Sequence, residues 1–166
     1  MLPILLPKWI SGGQTGVDQT MLHVMARNGM ITGGTAPKGW RTDEGPAPWL
    51  ADFGLVESYD AGYTVRTLKN VRDADLTIWF GNVLSPGGQQ TKKTAFAEMN
   101  RREYHFLENP DDCQILVYLG SFFKVNIVNV AGNRLRTNPD AAATAKRVLT
   151  DVCTKLLAAA DRAGRI

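Results

Sequence analysis

Short apolar runs alternate with helical patterns along this chain, and glycine-rich segments follow several of the runs. That alternation constrains the fold most, because it indicates a mostly parallel sheet with helices packed on it. Lys8–Ser11 reads as the end of a first strand, Met30–Thr35 as a short second strand and Leu76–Phe80 as the clearest buried one. Val125–Val130 is a further strand. Leu55–Ser58 is a candidate edge strand and Tyr104–Leu107 another candidate. A helix is expected over 17–28, where Val17, Met21, Val24 and Met25 share an apolar face opposite Gln19, His23 and Arg27, and Gly29 closes it. Further helices are expected over 62–72 and 92–103. Residues 112–120 form a short helix, although their apolar run leaves strand open. The last helix, 140–160, carries a core-facing stripe from Val148 and Leu149 through Val152, Cys153, Leu156 and Leu157 to Ala160. These elements predict an α/β fold: one Rossmann-like three-layer domain over 1–166, core about 8–160, with about five strands and helices on both faces.

A chain of 166 residues suits one domain, and 44% hydrophobic with 21% charged residues predicts a folded one. The charge balance, 19 minus 16, is +3, and no Lys/Arg run exceeds two residues, so nucleic acid is not an expected partner. Cys113 and Cys153 form no CxxC or Cys/His cluster, so neither structural zinc nor another metal site is expected, and reduced thiols are the default. The apolar start, residues 1–7, is short, broken by two prolines and without a basic leader. No stretch is long enough to span a bilayer, which leaves a cytoplasmic protein with no membrane partner as the expectation.

Each notable loop follows an expected strand, and in an open parallel sheet such loops gather at the carboxyl edge, where ligands bind. The first is Ser11–Asp18, with Gly12, Gly13, Gln14, Thr15 and Gly16 ahead of a helix N-terminus. Free amides and the helix dipole there suit an anion such as phosphate. The spacing is neither a Walker A loop nor the GxGxxG of dinucleotide folds, so NAD is not an expected cofactor. Thr15 and Asp18 have the spacing of a capping box. A carboxylate on those amides would repel phosphate, which places the anion nearer Gly12–Thr15 and leaves Asp18 for ligand hydroxyls or for capping.

The second loop, Ser85–Thr94, sets Gly87 and Gly88 with Thr91, Lys92, Lys93 and Thr94 just before a helix. Thr91 and Thr94 donate to phosphate or cap that helix. In the third, Ala36–Gly45, Lys38, Gly39 and Arg41 could meet ligand charge, and Asp43 and Glu44 could take ribose or pterin groups; Trp40 stacks on a ring or packs on the domain. In a further loop at the same edge, Arg134 is a candidate anion clamp. Together these residues predict a single pocket in which the amides of the first two glycine loops converge with Lys38.

Ile10–Asp18, Ala36–Gly39, Asp43–Gly45, Asn70–Asp75, the Gly87–Thr94 loop and Asn129–Gly132 resemble, in the same order, the putative molybdenum carrier family. That family sits within the nucleotide-related Rossmannoid domains that include the cytokinin-activating LOG proteins. The resemblance implies a Rossmann-like fold, a homo-oligomer (dimer or tetramer) and binding of molybdenum cofactor or a related phosphorylated ligand. It places Gly12, Gly13, Thr15, Lys38, Gly87, Gly88 and Thr91 around the site. The chain departs from the family pattern where Gln89 and Gln90 separate Gly88 from Thr91, where Asn133–Arg136 replaces Pro-Arg-Glu-Ser, and where Gln19 replaces a basic residue. All three bear on ligand contacts.

The expected function is therefore a binding or carrier protein for an anionic, phosphate-bearing small molecule: molybdenum cofactor or a related pterin or nucleotide. Neither His23 nor His105 belongs to a catalytic constellation. The alternative is a LOG-like nucleotide phosphoribohydrolase, because Pro86–Gly88 resembles the start of the LOG Pro-Gly-Gly-x-Gly-Thr-x-x-Glu loop. Gln90 stands at the later Gly and Thr94 at the Glu, so Glu98, one turn on, is that reading's candidate carboxylate. A module that senses or sequesters a nucleotide signal is the third possibility.

Overall fold

The structure, a computed structural model, describes residues 6–120 and 124–164. Most of the apolar start therefore lies outside the described residues. Lys8–Ile10 forms β1; Thr32–Ala36, Leu55–Glu57, Leu76–Phe80, His105–Glu108 and Ile127–Gly132 form β2 to β6. Both candidate strands pair, so the sheet has six strands rather than about five. Every pairing among the described strands is parallel, in the order β3-β2-β1-β6-β4-β5.

Val17–Arg27 is α1, Tyr63–Asp73 α2, Pro86–Met99 α3, Asp112–Gly120 α4 and Pro139–Arg162 α5. A short 3-10 helix, Pro48–Phe53, follows the Gly- and Pro-rich loop, over residues for which the sequence suggested no element. Its Trp49 and Phe53 rings pack on His23 of α1, 5.6 and 5.0 Å between centroids. Helix α3 starts six residues earlier than its apolar pattern suggests. Ser85 caps it by accepting from Gly88 N–H, and Pro86 fills the first position, where its missing N–H does no harm.

Side chains alternate across the sheet and build two layers. Leu76, Ile78 and Phe80 of β4 and Val128 and Val130 of β6 join the main core with α1 and α5. Helix α5 also packs on α4, so α1, α4 and α5 share this face. Thr77 and Trp79 point the other way, towards α2 and α3, which pack on each other. Strand β6 lies between β1 and β4; it feeds α5 on one face, whereas β4 feeds α3 on the opposite face. Their carboxyl ends part, and a crevice opens between them.

Cys153 of the last stripe is wholly buried, its sulfur 3.2 Å from that of Met25, and burial pushes its thiol up to about 11. Cys113 is exposed. The thiolate is the reactive form. A thiol reagent should therefore titrate one cysteine per native chain and the second only in denaturant, and two rapid equivalents would contradict this packing.

Candidate functional site

A cleft of about 710 Å³ occupies this crevice. The loop after β1 contributes Gly12, Gln14 and Asp18. The turn into α3 contributes Ser85, Pro86, Gly87, Gln90 and Thr91, and the end of β6 with its loop contributes Asn129 and the run from Ala131 to Arg134, with Arg136 and Thr137. Helix α2 forms the opposite wall with Tyr63, Thr64, Arg66, Thr67 and Asn70, over a floor that includes Trp79.

The first glycine loop brings its own partners for its amides. Gly13 N–H donates to Ser11 Oγ at 3.3 Å, Gln14 N–H to Asp18 Oδ2 at 3.1 Å and Thr15 N–H to Gln14 Oε1 at 2.9 Å. Three of the donors expected to be free, the Gly13, Gln14 and Thr15 amides, are thus already engaged. Nor is there a capping box with Thr15: Gly16 is the N-cap residue of α1 and makes no side-chain cap, while the Asp18 carboxylate turns back into the loop. Asp18 accepts from Arg66 at 3.1 Å in the same cleft. Burial pushes the Asp18 carboxyl above its ordinary range, against the pull of the Arg66 guanidinium and the Gln14 amide.

Positive charge reaches the cleft through arginines instead. Arg66 lies across Gly12 so closely that a Cβ there would stand 1.6 Å from its Nη1. Arg134 donates to Asp43 Oδ1 at 2.8 Å, and Arg136 pairs with Asp43 Oδ2 at 3.5 Å. The guanidinium carbons of Arg41, Arg66 and Arg134 lie 4.8, 5.3 and 4.9 Å from the centre of the Tyr63 ring, an arrangement favoured by the ring quadrupole. Asp43 N–H donates to Gln14 Oε1 at 2.9 Å, which ties the 36–48 connection to the first loop.

Of the residues singled out in the sequence, Gly12, Gln14, Asp18, Gly87, Thr91 and Arg134 line this cleft together. Gly13, Thr15 and Gly16 form the loop behind that wall, and Gly88 lies against Val83 inside the first turn of α3. Thr91 and Thr94 each donate to the carbonyl four residues back, and Thr94 is off the cleft wall. Lys38 does not converge with the loops. It is exposed, with its amide on Asp60 O, while Gly39 N–H donates to Glu57 and Arg41 reaches Ala61 O at the rim. Asp43 holds two arginines, and Trp40 packs against the core. Glu98 sits near the far end of α3, buried among Arg72, Arg101 and Arg102 at 3.7, 3.6 and 3.0 Å. A carboxylate committed there is not positioned for chemistry in the cleft.

Three cleft-lining residues carry buried donors with no acceptor among the described residues: Gln14 Nε2, Arg66 Nε and Trp79 Nε1. Gln14 Oε1 accepts two backbone N–H groups, which fixes the amide orientation and makes the remaining atom a donor. Arg66 and Trp79 lie outside the loops that drew attention in the sequence. The signal for Arg66 was a polar stripe on α2, Tyr63, Arg66, Thr67 and Asn70, at the spacing of a buried helix face; Trp79 sits in β4, inside the run already read as a buried strand.

Residues 9–153 match the model of the circularly permutated YpsA SLOG family. Among solved structures, the fold is similar to a putative molybdenum carrier protein from Syntrophus aciditrophicus SB, known at 1.45 Å. The two share 27% identity and superpose with a TM-score of 0.74, over 91% of this chain and 96% of the other. A search of curated proteins found no match. With the family model covering nearly the whole chain and the same fold in that neighbour, the chain belongs to the circularly permutated YpsA SLOG family.

Proposed function

We propose that the chain binds and carries an anionic, phosphate-bearing small molecule in this cleft, with the phosphate at the mouth between Arg66 and Arg134. One observation carries the reading: Gln14 Nε2, Arg66 Nε and Trp79 Nε1 are buried donors without acceptors among the described residues, and all three residues line the same cleft. A buried unsatisfied donor costs about 1–3 kcal/mol, so a ligand rich in acceptor oxygens offsets a standing penalty. The cleft volume, about 710 Å³, lies within the roughly 300–1,000 Å³ typical of small-molecule sites. Molybdenum cofactor, or another phosphorylated pterin or nucleotide, is the cargo this donor set suits. The name of the Syntrophus neighbour supports the first of these.

Native mass spectrometry of the purified chain tests this reading. A co-purifying phosphate-bearing molecule on a homo-oligomer is the expected result. Sulfate titration supplies the second arm: Arg134→Ala should weaken binding about ten-fold, while Lys38→Ala leaves it unchanged. Release of free base from nucleoside monophosphates would replace the carrier by a hydrolase, and equal effects of the two variants would move the site elsewhere.

A further inference from the structure

We propose that the floor of the cleft, Trp79 with Asn129, recognises the hydrogen-bonding edge of a nitrogen heterocycle tethered to the anion at the mouth. The heterocycle is of the lactam type that guanine and pterin share. This rests on the anion reading of the mouth and adds a second subsite to it. The two residues stand on neighbouring strands, where Thr77 pairs with Asn129 and Trp79 with Ala131. The side chains of Trp79 and Asn129 are thus diagonal neighbours on the α2–α3 face, close enough for one bicyclic ring to touch both.

The floor's available hydrogen bonds can be traced. Trp79 is 2% exposed, and its indole N–H, a donor only, has no acceptor among the described residues. Tyr104 Oη donates to Val71 O at 2.7 Å, so its contact with Thr77 Oγ1 at 2.6 Å requires the threonine to be the donor. Thr77 in turn accepts from Asn129 Nδ2 at 3.2 Å. That relay fixes the Asn129 amide and leaves its Oδ1 as an acceptor that no described group engages.

Three neutral groups on the flanking helices are committed elsewhere. Asn70 exchanges both of its amide atoms with the backbone of Thr35, at 2.8 and 2.9 Å. The hydroxyl protons of Thr67 and Thr91 go to Tyr63 O and Gly87 O in their own helices. The charged residues of the cleft are Asp18 in the first turn of α1, Arg66 on α2, and Arg134 and Arg136 in the loop after β6, whereas β4 and β6 offer the floor no charge. The strand floor itself thus offers one donor and one acceptor on a neutral surface beside a cationic mouth, where Gln14 Nε2 and Arg66 Nε are the further open donors. A lactam supplies the complement, a carbonyl for Trp79 and an N–H for Asn129, and Ala131 leaves room for a flat ring.

Calorimetry on the full chain with guanosine monophosphate, a pterin phosphate and ribose 5-phosphate tests the subsite. One or both heterocyclic phosphates should bind at least about ten-fold more tightly than ribose 5-phosphate. Trp79→Phe should remove that advantage and bring the heterocyclic phosphates down to the affinity of ribose 5-phosphate. In the wild-type chain, one indole N–H resonance should move downfield with the tighter ligand and none with ribose 5-phosphate, a readout that does not depend on the variant folding. Equal affinity for all three ligands, or a Trp79→Phe loss shared by ribose 5-phosphate, overturns the floor subsite while the anion site stands. Failure of all three to bind overturns both.

Discussion

Arg66→Ala should lower sulfate affinity about 100-fold and destabilise the chain by about 3–5 kcal/mol, because it removes an anion ligand and strands a buried carboxylate. The Arg66 side chain is 13% exposed and that of its partner Asp18 only 4%, at 3.1 Å. The two losses separate in the double variant Asp18→Asn/Arg66→Ala, in which no charge is left unpaired. Stability should largely return while affinity stays low. Asp18→Asn alone keeps an acceptor for Gln14 N–H, removes a negative charge from the cleft and frees Arg66, so sulfate should bind about ten-fold more tightly. The pH dependence follows from the raised carboxyl of Asp18. As pH falls through that raised value, Asp18 becomes neutral and wild-type sulfate binding should strengthen. Sulfate keeps its own charge over this range, so the slope reports the protein, and Asp18→Asn should flatten it. The linked stability has the matching sign: it is fully present below the ordinary carboxylate range and lost as pH rises through the raised folded value. Calorimetry and urea denaturation at several pH values check both. An Arg66→Ala protein that binds sulfate as the wild type does would remove Arg66 from the site.

How much of this was legible in the sequence depended on whether a residue's partners were local. The apolar stripes of α1 and α5 predicted those helices and the burial of Cys153, since helical periodicity is a local property. The first loop was visible for the same reason. Its amides were misread because Asp18 looked like a partner for Thr15 at capping-box spacing, whereas folding turns its carboxylate back onto Gln14 and out to Arg66, 48 residues away. Of the cations read from the sequence, Arg134 lines the cleft and Lys38 does not, while Arg66 went unnoticed. The cleft takes its charge from α2 and the loop after β6, because β6 inserts between β1 and β4, and strand order has no local signature. The sequence marks α2 only as a helix over 62–72, and which of its polar residues line a cleft is decided by the sheet and α3 packed around them. The start of α3 was legible in principle: Ser85 before Pro86 is an N-terminal signature that two following glycines obscured.

Gly34→Ala should destabilise the chain by about 3–5 kcal/mol, combining overpacking with a left-sided backbone conformation. Gly34 lies in β2 at φ +128°, and a Cβ there would meet Ser11 O at 2.0 Å and Ser11 N at 2.8 Å. Those atoms are backbone, so no side chain can swing aside; the segment after β1 would have to move away from β2. That segment opens the glycine loop. Ser11 Oγ donates to Asp18 O and accepts from Gly13 N–H, so a displaced Ser11 also disturbs the seat of Asp18 and, through it, Arg66. Gly39→Ala provides the comparison, because Gly39 has φ +80° but open space around the missing Cβ. Only the conformational term applies there, about 1–2 kcal/mol. Urea midpoints for the two variants separate steric contact from backbone conformation. If Gly34→Ala loses no more stability than Gly39→Ala, the close approach of β2 to Ser11 is not what holds the first loop against the cleft.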